Sequence, residues 1–204
     1  MKQRAFASGV TLSANAGKRE RRSRLRTMRF PESLVRSLQK EAADEGSNAN
    51  SLANSIISRY FDWDKRAREF GFITVHKPTL MRLIEMADDE GMAQMGREVI
   101  LATWKEIAEF WVQGSTPEKI LEALTMRSKF DPNTRARVTR EEGEYWVVLR
   151  HDFGPKYSIA LKSAIQELAK QASLAEPQIS EGESVVTARF KVNPRTRLPD
   201  RSKA

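Results

Sequence analysis

Thr27 and Arg29 stand two residues apart with Met28 and Phe30 interleaved. In an extended backbone the polar pair shares one face and the apolar pair the other. A guanidinium and a hydroxyl displayed together are groups that read base edges, because arginine can bond guanine twice and threonine can reach a base edge or the thymine methyl. A second group with chemical potential is His151-Asp152-Phe153-Gly154-Pro155, where a histidine and a carboxylate meet at the end of an apolar run, with Tyr157 and Ser158 just beyond. Strand exits of this kind often meet ligands. The only other histidine is His76, so a multi-histidine metal site is not available. No glycine-rich phosphate loop appears, and no carboxylate pair has a spacing that separates it from a solvated face. We therefore expect no catalysis, metal or cofactor. For His151 a structural role at the strand exit is favoured over ligand contact.

The elements that must carry Thr27 and Arg29 follow from the next thirty residues. The strand stops at Pro31, whose fixed φ and missing N–H suit a helix start. Leu34, Leu38 and Ala42 then recur at four-residue spacing beside Val35, making one apolar stripe. Gly46 is expected to end this helix as a left-handed cap. Asn48 or Asn50 can cap a second helix, in which Leu52, Ala53, Ile56, Ile57 and Tyr60 share a face. One strand and two short helices cannot close a core alone. Two copies can, if their strands pair antiparallel about a two-fold axis. Met28 and Phe30 then join Leu34, Leu38, Leu52, Ile56, Ile57 and Tyr60 in a shared core, and Thr27 and Arg29 project from the far side of a ribbon that fits the major groove.

This segment, residues 24 to 60, resembles the ribbon-helix-helix family of dimeric DNA-binding proteins. The resemblance rests on the strand ending in Phe30-Pro31, the Gly46-Ser47-Asn48-Ala49-Asn50-Ser51-Leu52 connection and the aromatic Tyr60. It implies base contacts from Thr27 and Arg29, with Leu25 beside them, and phosphate contacts from the backbone N–H groups at Asn48, Ala49 and Asn50, where the second helix begins. Arg26 departs from the pattern at a position the family usually fills with an apolar residue. Either the ribbon begins at Thr27, or Leu25 and Arg26 lie across a bulge.

Charge placement points the same way. The net charge is +8, and residues 1 to 30 hold Lys2, Arg4, Lys18, Arg19, Arg21, Arg22, Arg24, Arg26 and Arg29 against Glu20 alone, which accounts for the whole excess. Such an arm beside a ribbon adds salt-dependent, sequence-blind affinity through phosphates, with Arg21, Arg22, Arg24 and Arg26 nearest to them. A solvated tail does not explain why the positive charge stops where the strand does. A membrane patch ranks below nucleic acid, since neither an amphipathic apolar face nor a lipidation motif accompanies the charge. Residues 1 to 23 read as a disordered basic arm. Their resemblance to a signal peptide fails on the serines, threonine and glycine in the middle. With no cysteine and no transmembrane stretch, a cytoplasmic protein is the simplest expectation.

Beyond the module at 24 to 62, residues 63 to 192 are long enough for a core of their own. Asp62 to Phe70 extends or follows the second helix and Gly71 breaks it. Pro78 opens a helix with Leu80, Leu83, Ile84 and Ala87 on one face. A longer helix runs from about Met92 to Gln113, with Ile100, Trp104, Ile107 and Trp111 as a core stripe, and Ser115-Thr116-Pro117-Glu118 starts another ahead of Ile120, Leu121 and Leu124. A hairpin follows, Arg135 to Arg140 and Tyr145 to Arg150 about Glu142-Gly143, then a helix from Lys156 to Ala172 and a strand from Ser184 to Val192. Residues 193 to 204 read as a disordered basic tail. The fold class expected is α+β: a ribbon-helix-helix dimer followed by a helical, then β-β-α-β domain.

Three functions from different classes fit. The first, which we favour, is a sequence-specific transcriptional regulator, a homodimer or tetramer on double-stranded DNA. Its C-terminal domain would bind a small effector near Trp104, Tyr145, His151 and Tyr157, assemble dimers, or both. The second is the antitoxin of a toxin–antitoxin pair; antitoxin tails tend to be short and to fold on binding, whereas this region carries caps, strands and tryptophans. The third is an architectural protein that binds nucleic acid without reading it.

Overall fold

The computed structural model describes residues 27–141 and 143–191, which form two units divided between Ser55 and Ile56. The basic arm, Leu25, the C-terminal tail, Glu142 and Val192 lie outside the described residues.

In the first unit, Thr27–Phe30 carries no strand in the single chain, since a ladder needs a second strand that the described residues of this unit do not supply. Helix α1, Glu32–Asp44, follows Pro31. Its end is sequence-local: Gly46 adopts φ +64°, its N–H donates to Ala43 O (3.1 Å) and that of Ser47 to Ala42 O (2.7 Å), the paired bonds of a Schellman cap. Of the two asparagines that could start α2, Ala49–Arg59, Asn48 does so; its Oδ1 accepts from Ser51 N at 2.9 Å.

The second unit begins within that helix, which passes through a π turn at Tyr60–Asp64 into α3, Lys65–Phe70, and stops at Gly71 with φ +98°. The π turn sends Trp63 inward, stacked between Phe130 (ring centroids 5.3 Å apart) and Trp111 (5.1 Å). Helix α4, Lys77–Met86, buries Ile84 and half-buries Leu80, but Leu83 is 58% exposed, so the packed stripe is narrower than its sequence suggests. Lys156 closes this helix by donating to the carbonyls of Glu85 (2.9 Å) and Ala87.

The long helix starts earlier than Met92. Asp88 accepts from Gly91 N at 2.7 Å and opens α5, Asp89–Met95, which runs through a second π turn, Gly96–Ile100, into α6, Leu101–Val112. Trp104, Ile107 and Trp111 are buried as expected and Ile100 partly so. Thr116 caps α7, Pro117–Arg127, whose Ile120, Leu121 and Leu124 are buried.

Strands β1, Thr134–Glu141, and β2, Glu144–His151, form the expected hairpin. Helix α8, Pro155–Gln171, and strand β4, Val185–Lys191, follow, but a strand absent from the β-β-α-β expectation precedes β4. It is β3, Gln178–Glu181, at the edge of an antiparallel sheet ordered β1-β2-β4-β3. Four polar-rich residues with only Ile179 half-buried are too few to show alternation. One sheet face, Tyr145, Val147, Leu149, Val186, Ala188 and Phe190, packs on α7 and α8. Among the described residues no helix is long and apolar enough to cross a membrane.

The π turn rests on α8 through Gly96, where a Cβ would stand 2.0 Å from the carbonyl oxygen of Ala160 and 2.8 Å from its carbon. Because backbone cannot swing aside as a side chain can, Gly96→Ala is expected to destabilise the second unit by ~3 kcal/mol, the upper end of overpacking costs, read as a lower midpoint in urea unfolding.

Candidate nucleic-acid interface and the His151 cluster

Thr27 and Arg29 are exposed, as base-reading side chains must be. So are the apolar residues around them: Met28 is 61% exposed, and Phe30 and Leu34 are also exposed, while Leu38 and Leu52 are half-buried. At the start of the second unit Ile56, Ile57 and Tyr60 are exposed too. Every residue assigned to a dimer core is thus at least partly open in the single chain. At the head of α2, Asn48 takes up the Ser51 N–H, and the first helical bond runs from Leu52 N to Asn48 O (3.0 Å). The N–H groups of Ala49 and Asn50 precede that bond and point along the positive end of the helix dipole. Leu25, Arg21, Arg22, Arg24 and Arg26 lie outside the described residues.

No family model matches the chain, and no curated protein matches it.

The four residues expected to share an effector pocket do not share one. Trp104 and Tyr157 line a slot with Leu124, Arg127, Asp131 and Thr134, but its free volume is about 20 Å³, room for a single water rather than a metabolite. Burial raises the Tyr157 phenol above its ordinary pKa, with Arg127 opposing and Asp131 reinforcing the shift, so the hydroxyl stays neutral. Tyr145 lies instead beside an open groove of about 470 Å³ with Leu121, Met126, Val138, Glu118 and Glu122. Its phenol is also raised, first by burial and then by Glu118, against the pull of Arg140. The alternation of β2 sends Tyr145 and His151 to the same face but six residues apart, which separates them along the strand.

His151 is 2% exposed, and its partners define its protonation. Phe153 N donates to Nδ1 at 3.3 Å, so the proton sits on Nε2, which donates to Ser158 Oγ at 2.9 Å; that hydroxyl in turn donates to Gly182 O at 2.6 Å. The relay runs from histidine to serine to carbonyl, opposite to the direction that would activate the serine as a nucleophile. It ties the exit of β2, the first turn of α8 and the β3–β4 turn together. The Tyr157 ring packs edge-on against the imidazole with centroids 5.1 Å apart.

Burial lowers the His151 pKa from its ordinary 6.5, with Asp152 opposing. As pH falls below that ordinary value the unfolded chain takes up the proton first, so stability should decline with pH until the folded-state imidazole also titrates. His151→Gln should flatten this decline in melts run across the range. His151→Ala, which opens a cavity, leaves the Phe153 N–H without its acceptor and removes the donor to Ser158 Oγ, should cost ~2–4 kcal/mol.

Proposed function

We propose that the protein is a sequence-specific DNA-binding transcriptional regulator that acts as a homodimer, not an enzyme. In this reading the segments around Thr27–Phe30 of two copies pair into a ribbon that enters the major groove, where Arg29 and Thr27 meet base edges. The N–H groups at Asn48, Ala49 and Asn50 hold a phosphate, and the arginines of the arm add affinity that does not depend on sequence. The observation that carries the reading is the exposure of Met28, Phe30 and Leu34 on and just after the segment bearing Thr27 and Arg29, with Ile56 and Ile57 exposed in turn. Exposed apolar residues at helical and strand spacing call for a partner surface, and a second copy supplies the matching one.

The second unit has a core of its own, which favours a folded oligomerisation or sensing module over a tail that folds only on a toxin. The slot beside Trp104 is too small for an effector, so the roles we assign to this unit are assembly of dimers or binding at the open groove beside Tyr145.

Selection of the full protein on a random duplex library at near-physiological salt should enrich a two-fold symmetric motif. Arg29→Ala is expected to relax discrimination at particular positions of that motif at a cost of ~1–3 kcal/mol, whereas removal of residues 1 to 22 should weaken all duplexes alike and flatten the salt dependence. Equal loss on every sequence in Arg29→Ala would exclude the ribbon as reader. Residues 56 to 191 expressed alone should melt cooperatively; an unfolded fragment would point to the antitoxin reading.

A further inference from the structure

The helices of the second unit pack on one face of its sheet, and the opposite face carries a composition that an idle surface does not require. Cross-strand register sets Thr139, Trp146, Arg189 and Gln178 in one row, Arg137, Val148, Thr187 and Ser180 in the next, and Arg135, Arg150 and Val185 beyond them. Trp146 lies on β2, an inner strand, yet is 45% exposed. The Arg189 guanidinium lies over its indole ring, 4.8 Å from the centroid, and is held there by the Glu144 carboxylate. Arg135, Arg137 and Arg150 are exposed, and among the described residues none of them forms an ion pair. With Arg189 and Lys191 the face holds five cations against Glu141 and Glu144, which sit together at the β1–β2 turn.

An exposed indole with a guanidinium over it, ringed by cations, is complementary to a flat π system flanked by anions. An unpaired nucleobase and its neighbouring phosphates have that form, and stacking on aromatic rings or guanidinium planes is how extended single strands are held. Duplex DNA hides its base faces in its own stack and cannot use the platform, while an acidic peptide would satisfy the arginines and leave the tryptophan idle. We infer that the outer face of the C-terminal sheet binds single-stranded nucleic acid, with a base stacked on the Arg189–Trp146 pair and the adjoining phosphates on Arg137, Arg135 and Arg150. This surface is separate from the residues proposed to read duplex DNA and does not depend on that reading.

The test is anisotropy titration of the full-length protein against labelled single-stranded DNA and RNA oligonucleotides of one mixed sequence, about twelve nucleotides long. Trp146→Ala should weaken binding of the preferred strand about ten-fold, with Trp146→Phe retaining most of the affinity. Arg137→Glu combined with Arg150→Glu should also weaken it and flatten the salt dependence. The basic arm contributes equally to wild type and these variants, so the difference reports the sheet. A preference for either strand identifies its source and supports the inference, the 2′-hydroxyl being what distinguishes them. Single-strand affinity unchanged in Trp146→Ala overturns it. So does a polyglutamate peptide that binds as tightly as the oligonucleotide through Arg137 and Arg150 without need of Trp146. Arg29→Ala, scored on duplex selection alone, reports separately on the ribbon.

Discussion

The second unit is organised by the burial of α8 on two sides. One face of this helix, with Leu161, Ile165 and Leu168, packs into the core shared with the sheet, and Ala160 on another side meets the helical layer at Met92 and Ile84. A helix covered twice must be apolar over much of its circumference and small where a second backbone comes close, which accounts for Ala160 and Ala164 among its buried residues. Gly96 is the matching concession on the other helix, and the π turn it opens brings that backbone against α8. The His151–Ser158–Gly182 relay then anchors the N-terminal end of α8 to the sheet, so a buried polar chain completes what apolar packing begins.

The first unit faces the opposite constraint. The thirteen-residue α1, the first turns of α2 and the segment at Thr27–Phe30 have too little surface to bury their own apolar side chains, and the caps that shape them, at Gly46 and Asn48, organise the backbone without covering it. On the proposed function, a second copy covers those side chains. Such a dimer also doubles the reading surface, so on that reading folding and recognition draw on the same contact.

Charge is partitioned between the two ends of the chain with different consequences. Residues 1 to 30 carry the whole net excess, most of it as arginine, which suits attraction at a distance. The sheet face carries fewer cations, but its register fixes them beside an exposed indole, which suits short-range selection of flat anionic ligands.

Where the sequence alone was sufficient, the determinants are local. The Pro31 start, the Gly46 cap, the Thr116-Pro117 start and the Trp104–Ile107–Trp111 stripe all depend on residues within a turn or two of each other, and each is found in the structure, whereas the choice of Asn48 over Asn50 as the cap of α2 was left to it. The β1–β2 hairpin was equally legible, because the turn at Gly143 lies directly between its two strands. Local patterns could not reveal β3, which is defined by its pairing with β4, or the approach of Gly96 to Ala160, which joins residues sixty-four apart. Nor could they show that Trp104 and Tyr157 share a slot too small for a ligand while Tyr145 faces a separate groove. Composition and spacing determined which side chains were available and on which face of its own element each would lie. Only tertiary packing decided which faces were covered, because that depends on contacts between elements far apart in the chain.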